Sequence, residues 1–333
     1  MCRKYRMKKI LIIQTAFLGD VILATPVSSE LNRLFPEAKI DFLVRKGNES
    51  LLSNNPTINQ VYILDKSNGK YKSILNLIKQ FKKEKYDLTI NLHRFGSSGI
   101  IASFSGAKKI YGFKKNPFSF LYTKKFGHSI GTGEHEVERN LSIIKEFGAV
   151  SIRRPELFPS EEDFDIANQI MNPPFYCMAP ASVWFTKQLP VEKWIELIDF
   201  YNDRGTVYIL GGKGDQAFCE DIINKTIAKT SINLAGQLNL LESAALMEKA
   251  ERNFVNDSGP LHIASAMNAP VTAFFCSTML NFGFGPLSDD SKVLETTEVL
   301  ECRPCGLHGH KSCPKGHFKC GYSIDLELIE NEA

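Results

Sequence analysis

The chain has 333 residues, 43% hydrophobic and 23% charged, with a formal net charge of +3. That is about two domains of ordinary globular material, and so mild a positive balance argues against nucleic acid as a partner. No apolar run approaches the roughly 18 residues of a membrane span, and the opening MCRKYRMKKILII has too short an apolar stretch, and no small-residue cleavage site, for a signal peptide, so a cytoplasmic product is expected.

In chain order, Met7 opens MKKILIIQ, which makes residues 1–6 an expected disordered extension. The first strand is predicted at KILIIQT (9–15), followed by a loop and an amphipathic helix around VSSELNRLF, with Thr25 as its cap and Pro26 at its first position. Strands follow at KIDFLV (39–44), QVYIL (60–64) and DLTINL (87–92), with the helix KSILNLIKQFKKE between the last two. A proline- and charge-rich stretch, SIRRPELFPSEEDFD (151–165), interrupts the pattern, and a helix at FDIANQIM leads into a second series. Its strands are FYCMAP (175–180), TVYILGG (206–212), INLAG (232–236), NFVND (253–257) and VTAFFC (271–276), with helices VEKWIELIDFYND and LLESAALMEKAE among them.

Strands alternating with helices at this spacing predict α/β architecture with parallel βαβ sheets. The interruption divides the chain into an N-terminal domain at 7–150, a linker at 151–172, a C-terminal domain at 173–300 and a cysteine-rich tail at 301–333. Two such sheets facing each other give a cleft lined by the carboxyl ends of their strands, where ligands of open α/β sheets bind. No sequence repeat of fixed period is present.

TAFLGDVILATPV (15–27) places Gly19 and Asp20 after the first strand. An aspartate there either caps a helix or points into a cleft; with Thr25 available downstream as a cap, the second role suits it better. In NDSGPLH (256–262), Asp257 or Ser258 can cap a helix while Gly259 lets the backbone approach a ligand, and free N–H groups with the helix dipole suit a diphosphate. His262 falls in the first turn beside that anion; the other reading is an ordinary capped helix. YILGGKGDQA matches the G-x-G-x-x-A fingerprint, but INLAG lacks the acidic residue a dinucleotide's ribose needs, which argues against NAD. Asp215 is left either near a nucleotide's ribose or in a plain tight turn. APASVWFTKQLPVEKW (179–194) puts Ser182, Thr186 and Lys187 in a loop facing the expected cleft, the lysine a mobile positive charge for a leaving phosphate.

From Leu88 to Gly133 no acidic residue occurs beyond Leu88, while Arg94, Lys108, Lys109, Lys114, Lys115, Lys124 and Lys125 are interleaved with Phe104, Tyr111, Phe113, Phe118, Phe120 and Tyr122. This is either a surface for an anionic acceptor or phospholipid headgroups, each basic residue contributing about 1 kcal/mol, or a solvated basic face over an aromatic core. The tail CRPCGLHGHKSCPKGHFKC (302–320) holds Cys302, Cys305, Cys313 and Cys320, the second pair spaced more widely than zinc sets usually are. Packed or redox-labile cysteines without a metal are the expectation there, while the scattered Cys2, Cys177, Cys219 and Cys276 read as reduced core thiols.

Together these stretches resemble glycosyltransferase family nine, the bacterial lipopolysaccharide heptosyltransferases. MKKILIIQTAFLGDVILATPVSSELNRLFPEAKIDFLV looks like that family's opening strand, loop and helix with its Gly-Asp pair. YDLTINLHRFGSSGI is similar to its DLxIDLHRSxRS stretch, HEVERNLSIIKEFG to HxVERNLxLLxxLG, and NDSGPLHIASAMNAPVTAFF to DTGxxHLAxALxxPTVALF. The tail is similar to the CxPC…CPxGHxxC run of the second-heptose branch. The resemblance implies a GT-B fold, two Rossmann-like doubly wound domains facing a central cleft. It further implies an N-terminal acceptor domain, a C-terminal donor domain for ADP-heptose, and inverting transfer with neither metal nor cofactor.

On that resemblance Asp20 is the general base, without need of a strongly raised pKa if the transition state is oxocarbenium-like. Lys187 stabilises departing ADP with Thr186 beside it, and Asp257, Ser258, Gly259 and His262 match the nucleotide-sugar signature; Ser182 and Asp215 join them on the donor side. His93, Arg94 and Gly19 fall on the acceptor side, with His135, Arg139 and Asn140 as looser candidates. Ser258 in place of the commoner threonine, and Pro260, depart from the family pattern. The implied acceptor is an anionic lipid-linked saccharide, met peripherally at the inner face of the inner membrane. The competing readings are another nucleotide-sugar enzyme such as an epimerase, which would turn over donor with no acceptor present, and a non-catalytic binding protein at the inner leaflet.

Overall fold

The computed structural model describes residues 6–67, 69–151, 154–227 and 230–330. Residues 1–5 of the expected extension, Cys2 among them, lie outside the described residues, as do Ile152 and Arg153 of the expected linker and the end of the tail. The chain forms two compact units. One runs to Ile130 and takes in Glu134–Phe158; the other holds Gly131–Gly133 and everything from Pro159 on. The stretch 151–172 is therefore shared between them, its helix Glu161–Ile170 belonging to the second unit.

The first unit is built on a sheet of β1 (Lys9–Ile13), β2 (Lys39–Arg45), β3 (Gln60–Leu64), β4 (Leu88–Asn91), β5 (Lys109–Phe113) and β6 (Lys124–Phe126), in the order β3-β2-β1-β4-β5-β6. Every pairing is parallel. Ile10, Leu11, Ile12 and Ile13 are fully buried, as a central parallel strand covered on both faces must be. Against Leu11 and Ile13 pack Ile74, Leu77, Ile78 and Phe81, the apolar stripe of the helix Lys70–Glu84, whose spacing puts all four on one face.

The second unit carries β7 (Phe175–Ala179), β8 (Thr206–Ile209), β9 (Ile232–Asn233), β10 (Arg252–Asn256), β11 (Val271–Phe275) and β12 (Ser291–Glu295), in the order β12-β11-β10-β7-β8-β9, again all parallel. Counted from its own first strand this is the same order as in the first unit. Its core joins Trp194, Leu197 and Ile198 of the helix Val191–Asn202 to Phe254 and Phe274, and also to Phe318, Cys320 and Ile324 of the tail. The tail is thus a built part of the unit. In each sheet the strand order reverses once, between β1 and β4 and between β7 and β10, and at such a point the loops leaving the carboxyl ends diverge and open a crevice.

Three strands, β5, β6 and β12, are absent from the sequence-based expectation. The first two lie in the basic aromatic stretch, part of which is packed core and part exposed. Tyr111, Phe113 and Tyr122 are buried in the first unit, and Lys108 and Lys124 pair with Asp87 and Glu146. Phe95 and Phe120 are 66% and 69% exposed, and Lys114, Lys115 and Lys125 are exposed with them.

Candidate active site

After β1 a short loop leads into a single helical turn, Leu18–Ile22, so Gly19 and Asp20 lie in that turn rather than in the open loop expected for them. Asp20 Oδ2 accepts the N–H of Phe17 at 3.2 Å, so it does cap its own turn. Thr25, expected as the cap of the next helix, lies inside that helix, Thr25–Leu34, whose cap position is Ala24. Its hydroxyl donates to Ile22 O at 2.8 Å and accepts the N–H of Glu156 at 3.1 Å, which draws it away from the helix's own N–H groups.

Capping leaves the Asp20 carboxyl chemically poised. Burial, reinforced by the negative charge of Glu136, pushes its pKa from 3.8 up to about 6, against the Phe17 N–H and the positive charge of Arg94. β4 ends beside β1, and His93 Nδ1 lies 2.8 Å from Thr15 Oγ1. Burial, then the charges of Lys66 and Arg94, lower the His93 pKa to about 4, so the ring is neutral at physiological pH. Asp20, His93 and Arg94 therefore belong to one electrostatic group at the carboxyl ends of β1 and β4.

Sequence reasoning missed Glu136. It is buried, with His128 Nε2 at 3.0 Å and the Arg139 Nε–H donating at 2.7 Å. Burial works to raise its pKa, but His128 and Arg139 outweigh that and hold it below the usual range, so Asp20 faces a permanent like charge. The looser candidates around it serve the frame. His135 Nδ1 accepts the N–H of Val137 at 3.2 Å to cap the helix Glu136–Ser142, Arg139 is 1% exposed against Glu136, and Asn140 Nδ2 donates to Leu23 O at 3.2 Å.

In the second unit, Asn256 at the end of β10 ties down the loop that follows β7: the Leu189 N–H donates to its Oδ1 at 2.8 Å, and its Nδ2 donates to Pro180 O at 2.9 Å. That anchoring carries the turn Phe185–Lys187 to the neighbouring strand end, where Lys187 Nζ meets Asp257 Oδ2 at 2.7 Å. Thr278, in the loop after β11, donates to the same oxygen at 2.6 Å. The ion pair is largely sequestered, with side-chain exposures of 16% for Lys187 and 7% for Asp257. Thr186 is buried, its hydroxyl accepting from Ser277 Oγ at 3.0 Å and from the His310 N–H at 2.8 Å.

Neither Asp257 nor Ser258 caps the helix Gly259–Met267, contrary to the sequence-based expectation. Asp257 is engaged by Lys187 and Thr278, and Ser258 Oγ leans back on Asn256 O at 3.4 Å. The first turn of that helix, with Gly259 at its start and buried His262 within it, thus keeps N–H groups without a side-chain cap next to a lysine, an arrangement suited to an anion. Ser182 contributes a carbonyl that accepts from Gln188 Nε2 at 2.7 Å. Asp215 lies in the turn after β8, where its Oδ2 accepts the Gly212 N–H at 2.8 Å, a bond compatible with either reading of YILGGKGDQA. Cys302, Cys305, Cys313 and Cys320 are free thiols, and among the described residues no group of three or more His, Cys, Asp or Glu is placed to hold a metal ion.

A family model described as Glycosyltransferase family 9 (heptosyltransferase) matches residues 74–312. The chain is 31% identical over 278 residues to Lipopolysaccharide heptosyltransferase 3 of Escherichia coli strain K12, a match covering 78% of this chain and 80% of that one. It is 23% identical over 331 residues to Lipooligosaccharide heptosyltransferase 2 of Campylobacter jejuni, covering 98% and 97%. Among solved structures it is similar to E. coli ADP-heptose lps heptosyltransferase II, with a TM-score of 0.77 at 21% identity over 98% of this chain and 100% of that one. That likeness is one of fold, the two Rossmann-like doubly wound units of the GT-B class.

Proposed function

The chain belongs to glycosyltransferase family 9, and we propose that it transfers a heptose from ADP-heptose to the inner core of lipopolysaccharide, with inversion at the anomeric carbon. The observation that carries this reading is that, in each unit, the reactive side chains coincide with the point where strand order reverses: Asp20, His93 and Arg94 at β1 and β4, Lys187 and Asp257 at β7 and β10. Asp20 takes the proton of the acceptor hydroxyl as that oxygen attacks, and its charge favours the oxocarbenium character that develops. His93, neutral, offers a ring nitrogen to the same acceptor, and Arg94 suits an anionic group on it. Lys187 and the first turn of Gly259–Met267 take up the charge of the departing diphosphate. The names of the relatives support heptose as the transferred sugar and a lipopolysaccharide-class acceptor.

Calorimetric titration with ADP, UDP and GDP tests the donor assignment. ADP is expected to bind and the other two to bind at least about tenfold more weakly, since discrimination rests on the base. Transfer from ADP-heptose to lipid A carrying inner-core sugar is expected alongside. A preference for UDP, or turnover of the donor with no acceptor present, would sink the assignment.

The same reading places the enzyme in the cytoplasm, peripheral to the inner face of the inner membrane. Among the described residues no helix is long and apolar enough to cross a membrane. Support for the surface comes from exposed Phe95 and Phe120 and exposed Lys114, Lys115 and Lys125, all within the acid-free stretch. Cosedimentation with vesicles is expected to require anionic lipid and to fade as salt rises; equal binding to neutral vesicles, or none to anionic ones, would remove the membrane from the proposal.

A further inference from the structure

We infer that the cysteine-rich tail is a working part of the phosphate site, and that Gly309 is a positioning residue which lets the tail clamp the turn carrying Lys187. The inference rests on the reading of Lys187 as the group that receives the donor's diphosphate.

The tail is fastened at both ends. At the front, Arg303 donates to the carbonyls of Cys276 at 2.8 Å, Phe275 at 3.1 Å and Thr278 at 2.7 Å and pairs with Glu295, while the Cys305 N–H donates to Ser277 O at 2.9 Å. At the back, Phe318 and Cys320 are buried in the core of the second unit, Phe318 with its ring 5.2 Å from that of Phe185. Between these anchors the backbone passes against Thr186 and exchanges two hydrogen bonds with it: the Thr186 N–H donates to His310 O at 3.1 Å, and the His310 N–H donates to Thr186 Oγ1 at 2.8 Å. Ser277 closes the arrangement from the loop after β11, donating its N–H to Thr186 O at 3.2 Å and its hydroxyl to Thr186 Oγ1. The residue so gripped is the immediate neighbour of Lys187.

This approach is possible because residue 309 is glycine. Its φ is +76°, and a Cβ there would lie 2.7 Å from Thr186 Oγ1, 3.1 Å from Ser277 Oγ and 3.2 Å from Lys187 Cγ. The obstructing hydroxyl sits on a short side chain already held by two donors, so it has nowhere to retreat. Gly306 supplies the control. It lies in the same tail with φ +65°, but a Cβ there would meet nothing within 4 Å.

The test compares Gly309→Ala with Gly306→Ala in the full chain. For Gly309→Ala the ADP dissociation constant and the donor KM are expected to rise about tenfold and kcat to fall about tenfold, because the misplaced lysine serves both the bound diphosphate and its departure. Gly306→Ala is expected to stay within about twofold on all three, since it carries the backbone strain without the obstruction. Amide exchange read without ligand is expected to be about tenfold faster at Thr186 in Gly309→Ala alone. Wild-type ADP affinity in Gly309→Ala, or equal losses in both variants, overturns the inference. If the wild-type chain does not bind ADP, the donor assignment fails and the clamp is judged on exchange at Thr186, where unchanged rates overturn it and selective acceleration supports it. Should Gly309→Ala not fold, the wild-type chain decides: the amides of Thr186 and His310 are expected to gain protection together on adding ADP, and protection of Thr186 alone overturns the clamp.

Discussion

Asp20→Asn is expected to lower kcat for transfer by about 10²- to 10⁴-fold while ADP still binds as it does to wild type. The substitution keeps an oxygen to accept the Phe17 N–H, so the turn Leu18–Ile22 retains its cap and only the proton acceptor is lost. Wild-type kcat/KM is expected to fall about tenfold per pH unit below the Asp20 pKa of about 6, and the residual activity of Asp20→Asn to lack that limb. Stability moves the opposite way. In the unfolded chain Asp20 ionises near 3.8, whereas the folded protein holds its proton until about pH 6. Between those values the folded state binds more protons, so stability falls as pH rises, and above the window the folded protein carries a disfavoured charge. Asp20→Asn is therefore expected to unfold at an equal or higher urea midpoint than wild type at about pH 8, the difference vanishing below about pH 4. Wild-type turnover in Asp20→Asn would refute the assignment of the base, and a lower midpoint at alkaline pH would refute the burial argument.

Lys187→Ala carries the second large effect. Removing a preorganised cation from a leaving diphosphate is expected to lower kcat by about 10²- to 10³-fold and to weaken ADP binding with it. The fold suffers too. Asp257 is nearly buried and loses its charge partner, but it keeps the Thr278 hydroxyl, so the expected destabilisation is roughly 1–3 kcal/mol rather than the larger value for a wholly abandoned buried charge. Urea unfolding of the isolated variant reads that loss, and calorimetry with ADP reads the binding loss. Undiminished ADP affinity in Lys187→Ala would take the lysine out of the donor site.

The central strands were legible because they are buried on both faces and run as unbroken apolar stretches: KILII and VTAFF need no neighbour to be recognised. The strands that escaped notice break that rule for physical reasons. KIYGF contains Gly112, a residue that discourages strand prediction, yet here its lack of a side chain is what lets β5 lie against β4, since a Cβ would fall 2.7 Å from Asn91 O. KKF and SKVLE form edge strands, where charged residues are tolerated and the pattern is diluted. INLAG shrinks to Ile232–Asn233 at the far edge.

Asp257 stands directly beyond the end of β10, and Asp20 and Lys187 lie in the segments that follow β1 and β7, positions visible in one dimension. Glu136 is not: it lies far along the chain from Asp20 and acts through charge, and its only signal in the sequence is the quoted stretch HEVERN, whose other polar members turned out to hold the frame. The capping by Asp20 is hidden in the sequence because Thr25 has the chemistry of a cap, and only the fold shows the Thr25 hydroxyl bound instead to Ile22 and Glu156.

The shared strand order of the two sheets bears on how such a protein can change over generations. Each sheet raises its own reactive loops from its own strand ends, and neither borrows a strand from the other. Variation in the loops after β1 and β4 can thus retune what is recognised there while the lysine, aspartate and tail of the second unit persist unaltered. On the proposed assignment of acceptor to the first unit and donor to the second, a lineage built on this plan can diversify by half-molecules, taking new acceptors without relearning how to hold a donor.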